Sequence, residues 1–332
     1  MRPAPQRSGG KRGAAMSKGT NTPNKPAADP LEAIEQEIKQ KRAAFADLRK
    51  SRCFPMFLGS ASIGHSIVDD IFDDLKSNFC ECQDIDVIID SGGGNIDAAF
   101  NIATLLRQYA KGKLTFVIPR CAKSAATLLA CSGDEILMTP PAELGPLDPQ
   151  ITEMNPLEKR IERFSPLHIE STLELIRDEF ENGHEKLATG LMNRLQFPLT
   201  LGSFKKALEI SSQYMFELLS TRMLNGNEQK AREIAEKFTT GYVDHSFCIK
   251  VSEAVKIGLK AKELVGAELD VAWEIHKLNK KREKLERDKR RQKLKEELKD
   301  LPSELIDLLP SELLGKGAVG AGQDQTDQIG VA

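Results

Sequence analysis

Residues 84–151 read DIDVIIDSGGGNIDAAFNIATLLRQYAKGKLTFVIPRCAKSAATLLACSGDEILMTPPAELGPLDPQI, and the fold is decided here. Asp86–Asp90 (DVIID) is a β-branched run bounded by charge, the pattern of a parallel strand buried on both faces. The glycines Gly92–Gly94 follow it. Ile96–Tyr109 sets Ala98, Ala99, Ile102, Leu105 and Leu106 on one helical face. Leu114–Ile118 is the next strand, and Pro119 ends it. Ser124–Cys131 reads as a helix of small residues and Glu135–Met138 as another short strand. Strands alternating with helices predict βαβ units, a mostly parallel sheet and the α/β class.

Upstream, Phe54–Gly59 is a short apolar run that predicts a first strand. Ser66–Ser77 places Ile67, Ile71, Phe72 and Leu75 at helical spacing. Before them, Asp29 suits an N-cap, Pro30 suits the first helical position and Glu32 a capping box. Leu31, Ile34, Ile38, Phe45 and Leu48 give residues 29–50 an apolar stripe that must dock on the core or on another subunit. Residues 1–28 are rich in Pro, Gly, Ser, Lys and Arg and predict a disordered tail, with Met16 an alternative start.

Downstream of Ile151 the pattern turns helical. Ser171–Asn182, Ser203–Leu224 (capped by Ser203 and closed by Asn225-Gly226), Glu228–Phe238 and Ser252–Ile257 are expected helices, with Thr239-Thr240-Gly241 breaking the third. Residues 266–300 form a charged helical extension. Opposite charges interleave from Lys277 to Asp300, which predicts a solvated or coiled-coil-like helix rather than a nucleic-acid arm. Residues 301–332 carry a small repeat, LPSELI then LPSELL, and end in a polar tail. The expected core domain is 51–265.

Composition excludes several classes. The 332 residues are 40% hydrophobic and 29% charged with a net charge of −2, which gives no global pull toward nucleic acid or a membrane. Aromatics are 5%, too few for base-stacking platforms. The six cysteines are scattered, which suits free thiols in a reducing cytoplasm. Cys80 and Cys82 form a C-x-C without a second pair, so no metal site is expected. There is no apolar run long enough for a transmembrane helix, which leaves only peripheral membrane association open.

The run Ser91–Asn95 (SGGGN) lacks the third glycine of a dinucleotide fingerprint and the G-K-[ST] ending of a P-loop. What remains is a strand-to-helix turn with approachable backbone N–H groups, the raw material of an oxyanion hole. Ser124 lies one βα crossover later at the start of a helix. On its own it would read as an ordinary N-cap. Paired with the glycine turn it reads as a nucleophile, with the Ala125 amide a second donor beside that of Gly93. The chain has five histidines as candidate bases: His65, His168, His184, His245 and His276.

The glycine turn, the segment AKSAATLLACSGDEILM (122–138) and above all LGPLDPQ (144–150) resemble the Clp-protease/crotonase superfamily, and within it the serine dehydrogenase proteinase family, relatives of signal peptide peptidase A. The resemblance fades after residue 151 and returns over residues 241–259. It implies a Clp/crotonase-like superhelix of ββα units, a Ser nucleophile at Ser124, and a triad in the order Ser, Asp, His, with Asp148 and His245 at the matching positions. It implies no cofactor, a polypeptide substrate and assembly into homo-oligomers. The signal peptide peptidase relatives use a lysine base, for which Lys186, Lys205 and Lys206 are candidates. The expected function is a cytoplasmic serine peptidase. Its rivals are a crotonase-type acyl-CoA enzyme, in which Ser124 is dispensable, and a non-catalytic oligomeric scaffold.

Overall fold

The computed structural model describes residues 29–59, 61–79, 84–147, 151–154, 161–164, 166–193 and 201–298. The tail at 1–28 with Met16, the Cys80–Cys82 pair, Asp148, Asp300 and the repeat at 301–314 lie outside the described residues.

Asp29 starts α1 (Pro30–Arg49) as expected: its carboxylate accepts the Leu31 N–H at 3.1 Å, and the helix ends on Lys50 in the left-handed conformation. The chain continues through β1 (Arg52–Gly59), α2 (His65–Asn78), β2 (Ile85–Ser91), α3 (Ile96–Tyr109), β3 (Leu114–Ile118), β4 (Cys121–Ala122), α4 (Ala125–Ala130), β5 (Glu135–Met138) and β6 (Glu143–Leu144). A hairpin, β7 (Ile151–Met154) with β8 (Ile161–Phe164), precedes α5 (Pro166–Glu181), α6 (Glu185–Met192) and α7 (Leu201–Leu218). The last helix runs into a π-helical turn, Leu219–Met223. Then come α8 (Glu228–Thr240), α9 (Val251–Ile257), β9 (Ala261–Glu263) and α10 (Gly266–Glu297).

Several local readings change. After Ile151, where the pattern is expected to turn helical, the chain first forms the β7–β8 hairpin, and α5 begins at Pro166, ahead of the expected Ser171. The pair Thr239-Thr240 does not break α8, because their hydroxyls turn back onto the Ala235 and Glu236 carbonyls and leave the helical backbone intact. α7 begins at Leu201, ahead of the expected cap at Ser203.

One sheet of seven strands organises the chain, in the order β6-β4-β2-β3-β5-β9, with β1 on β2, and every pairing in it is parallel. The fold is therefore α/β with a mostly parallel sheet, as the alternating pattern predicted. The strand period of two explains both faces. Phe54, Met56, Val87, Ile89, Phe116, Ile118, Ile136 and Met138 point into the larger core with α3, α4 and α8. The residues between them, Cys53, Ile88, Val117 and Leu137, point the other way, onto Phe45 of α1 and Ala272 and Ile275 of α10.

The stripe on α1 thus docks on the chain's own core, and its last member, Leu48, stays exposed. α1 runs antiparallel to α10, tied by Arg49 to Glu268 at 3.2 Å, by Lys41 to Glu274, and by Asp29 to Lys289 at 2.7 Å. The charged helix is divided. Ala272, Ile275, His276 and Asn279 are buried, and beyond Asn279 the helix is largely exposed, as its interleaved charges predict.

Candidate active site

The site lies at the carboxyl end of β2, where open parallel sheets place their ligands. From Ser91 the chain turns through the glycines into α3, whose first turn is capped by Asn95 (Oδ1 to the Ala98 N–H, 2.8 Å). Each of the last two glycines answers a different contact. Gly94 sits at φ 151°, and a Cβ there would stand 2.3 Å from the Ile63 carbonyl oxygen. That closeness is a backbone pairing: Ile63 N–H donates to Gly93 O and Asn95 N–H donates to Ile63 O, both at 2.8 Å. Gly93 sits at φ 104°, and a Cβ on it would fall 2.9 Å from Ser124 Cβ and 3.3 Å from the Ala125 nitrogen. The turn therefore touches the serine at Gly93.

β4 delivers Ser124 to that contact. Ala122 pairs with Ser91, and the Lys123 N–H donates to the Ser91 carbonyl at 3.1 Å. Ser124 has φ 50° and ψ −121°, outside the regions L-residues adopt without strain. Among the described residues Lys50 is the other non-glycine at positive φ, and it is an ordinary left-handed helix end. The Ser124 hydroxyl makes no capping bond to α4, so the N-cap reading fails on geometry. Its carbonyl instead receives the Thr127 and Leu128 N–H groups at 2.8 and 3.2 Å.

The two expected oxyanion donors differ. The Ala125 N–H has no acceptor among the described residues, and it opens α4. The Gly93 N–H already donates, to Ser91 Oγ at 3.1 Å.

A clamp missed in the sequence gathers the remaining pieces. Thr127 Oγ1 lies 2.6 Å from the Ala122 carbonyl and 2.8 Å from that of Gly145, and it accepts the Gly145 N–H at 3.1 Å. The hydroxyl has one proton, so it donates to one of the two carbonyls at a time. Leu144 exchanges hydrogen bonds with Ile249 at 2.9 and 3.1 Å, and the Leu147 N–H donates to Phe238 O at 2.8 Å. Lys123 spans the gap: Nζ donates to Phe247 O at 3.3 Å and lies 3.4 Å from Glu143 Oε1. Phe247 packs on Tyr242 with ring centroids 4.7 Å apart.

The segment that leads into Asp148 and the turn that carries His245 are thus both fastened to the start of α4. His245 is half-buried, with a buried Nδ1. Burial pushes the Glu143 carboxyl up, but the Cys248 thiol, Lys123 and Arg120 more than offset it and hold it below the usual carboxylate range.

The three lysines considered as alternative bases lie on α6 and α7. Lys186, Lys205 and Lys206 are all exposed, and Lys205 pairs with Glu209 at 4.0 Å. Among the described residues no group of three or more His, Cys, Asp or Glu side chains is placed to hold a metal ion, and no helix is long and apolar enough to cross a membrane.

Behind the glycine turn a second polar cluster ties the sheet to α10. Asp90 accepts from His276 Nδ1 at 2.7 Å and from the Cys121 thiol at 3.2 Å, and the His276 ring stacks on Trp273. Burial pushes the Asp90 carboxyl up, and the bonds from His276 and Cys121 outweigh it and hold the group below the usual carboxylate range. Burial and the neighbouring Asp90 push the Cys121 thiol up to about 12, so this cysteine is a packed donor and not a nucleophile.

The chain has both sequence relatives and solved structural neighbours. Two uncharacterized proteins of Methanocaldococcus jannaschii are 30% identical over 180 residues and 27% identical over 193 residues, covering 54% and 58% of this chain. The chain spans 52% and 58% of their lengths, little more than half of the curated relatives it matches. Among solved structures, an alanine mutant of the 1510-N membrane-bound stomatin-specific protease superposes with a TM-score of 0.40 at 16% identity, over 65% of this chain and 79% of that one. The ClpP protease catalytic domain from Plasmodium falciparum superposes with a TM-score of 0.39 at 13% identity, over 74% and 97%. Across residues 69–182, which hold the glycine turn, Ser124 and Asp148, the chain matches the ClpP-like SDH-type serine proteinase family, in keeping with the resemblance carried by its motifs.

Proposed function

We propose that the chain is a serine peptidase with Ser124 as nucleophile. The observation that carries this reading is the backbone of Ser124, held at φ 50° and ψ −121° with its hydroxyl left out of the helix cap and Gly93 against its Cβ. Strain of this kind persists only where surrounding structure enforces it, and it collects at reacting groups. Here the enforcement comes from β4, the Lys123–Ser91 hydrogen bond and the bonds from α4 to the Ser124 carbonyl.

In the proposed reaction Ser124 Oγ attacks a peptide carbonyl as its proton passes to His245. The carbonyl oxygen becomes an oxyanion held by the Ala125 and Gly93 amides. To serve, the Gly93 N–H exchanges Ser91 Oγ for the oxyanion, a swap from a neutral acceptor to a charged and stronger one. His245 then gives the proton to the leaving amine, the C–N bond breaks, and an acyl-Ser124 ester remains for water to hydrolyse by the same path. Asp148 orients His245. The position of Leu147 on Phe238 and of Phe247 on Lys123 supports the nearness of the two segments. Assembly into homo-oligomers acting on polypeptides belongs to the same proposal.

Fluorophosphonate labelling of the purified chain tests it. An adduct is expected on the native chain and none on Ser124→Ala. His245→Ala and Asp148→Asn are expected to slow labelling by about 100-fold or more, with Lys186→Ala and Lys205→Ala at the native rate. An adduct that survives Ser124→Ala, or none on the folded native chain, refutes the proposal in favour of a scaffold or an acyl-CoA enzyme.

A further inference from the structure

Lys123, the residue before Ser124, touches both of the segments that the peptidase reading needs. Its backbone is fixed first: the N–H donates to the Ser91 carbonyl at 3.1 Å, and the carbonyl receives the Ala126 N–H at 2.9 Å. The side chain is 17% exposed, low for a lysine, whose charged end normally stays in water. Its stem lies along Gly145, in the segment that leads into Asp148: a Cβ on Gly145 would stand 2.5 Å from Lys123 Cδ. Its ammonium reaches the turn that carries His245. There Nζ donates to the Phe247 carbonyl at 3.3 Å and lies 3.7 Å from Cys248 Sγ. Glu143 Oε1, 3.4 Å away, supplies the countercharge.

Three observations separate this arrangement from a chance ion pair. Gly145 is not at positive φ, so its backbone does not demand glycine, and the place of the missing Cβ is taken by the Lys123 stem. Glu143 has two other cations, Arg120 at 3.5 Å and Lys250 at 3.7 Å, so it does not depend on Lys123 for charge. The turn itself has no regular structure to hold it: residues 241–248 are in neither helix nor strand. Such a segment takes its place from side-chain tethers, and the bond from Lys123 to the Phe247 carbonyl is one that starts beside the nucleophile and ends two residues past the base.

We propose that Lys123 is a positioning residue: its ammonium holds the His245 turn where proton transfer from Ser124 needs it, and Gly145 is bare so that the stem can pass. The inference rests on the peptidase reading of Ser124 and His245. Lys123 takes no proton in the reaction and acts through the place it gives the imidazole. Misplacing a reacting group by about 1 Å can cost about 100-fold in rate, so one tether is enough to matter.

Lys123→Met keeps an apolar stem and removes the donor. In the full chain, hydrogen exchange at the amides of residues 242–248 is expected to quicken about tenfold, with α3 and β3 unchanged. In fluorophosphonate inactivation the limiting rate is expected to fall about tenfold or more while KI stays within about twofold of native, because the base is displaced and the site that receives the probe is not. Gly145→Ala should reproduce both effects, since its methyl pushes the flexible Lys123 stem aside. The double variant should then be slower than the slower single by no more than about twofold. Lys262→Gln, which breaks an ion pair with Glu135 on β5 and β9 at the other edge of the sheet, keeps the native rate. Exchange at the native rate in Lys123→Met, inactivation at the native rate, or losses that multiply in the double variant overturns the proposal. An adduct missing from the native chain, or surviving Ser124→Ala, refutes the peptidase reading instead, and hydrogen exchange still decides whether Lys123 tethers the turn.

Discussion

Gly92, Gly93 and Gly94 look interchangeable as letters, yet their surroundings separate them. A Cβ on Gly92 meets nothing within 4 Å, whereas one on Gly94 collides with the Ile63 backbone at φ 151°. Gly92→Ala is therefore expected to change stability by no more than about 0.5 kcal/mol. Gly94→Ala is expected to cost about 2–4 kcal/mol, since left-handed strain and a backbone overlap add. It should also abolish labelling of Ser124, because the loop at Ile63 that props the turn must move. Urea denaturation of the two variants, with labelling, checks both; equal costs would mean the Ile63 contact does not shape the turn. The sequence made Gly93 and Ser124 legible as a pair through their order and separation. It did not reveal the positive φ of Ser124, which is a property of what surrounds the residue. Nor did it reveal Thr127, one small residue in a helix of small residues, whose partners at Gly145 and Ala122 become neighbours only on folding.

At the scale of elements, the strands of five, seven and eight residues and the helix α3 carry enough periods to be read directly, and α3, β3 and β5 fall on their expected bounds. β4, β6 and β9 have two or three residues each, too few for a period; β4 and β6 extend the sheet beyond β2 toward Ser124, and β9 forms the opposite edge beside β5. The link from α10 to β2 was equally silent, because His276 and Asp90 are 186 residues apart. That link has a pH signature. Asp90 is depressed in the folded state, so its stabilising contribution is complete above the unfolded value of about 3.9 and is lost as pH falls through the folded value. His276→Ala removes the main counterweight to burial and lets the Asp90 carboxyl rise. The variant should be less stable by about 1.5–3 kcal/mol at pH 7, the worth of a hydrogen bond to a buried charge. The gap should narrow as both proteins are acidified toward pH 3. Guanidinium unfolding at the two pH values measures it; a gap that stays constant or widens in acid would show that Asp90 is not the group coupled to His276.

Across the whole molecule, the sheet is covered on both faces by its own chain. α3, α4 and α8 close one face, and the two helices nearest the chain's outer parts, α1 and α10, close the other. Charge patterning alone cannot show this for α10, since its few buried positions are outnumbered by the exposed charges that dominate the count. Position by position, however, Ala272, Ile275 and Asn279 fall at helical spacing and share a buried stripe. The consequence is cooperative: Phe45 on α1 and Ile275 on α10 belong to one cluster with Ile88, Val117 and Leu137 of the sheet, so the layers must unfold together. Phe45→Ala and Ile275→Ala are each expected to cost about 2–5 kcal/mol as large-to-small changes in a packed core. Combined, they should depart from additivity by about 0.5–3 kcal/mol, since cavities in one cluster share their relaxation. Each variant should still melt in a single transition seen alike by near- and far-ultraviolet circular dichroism. Strict additivity, or an early transition that loses helix while the sheet persists, would mean that α1 and α10 form an appendage and not the second face of the core.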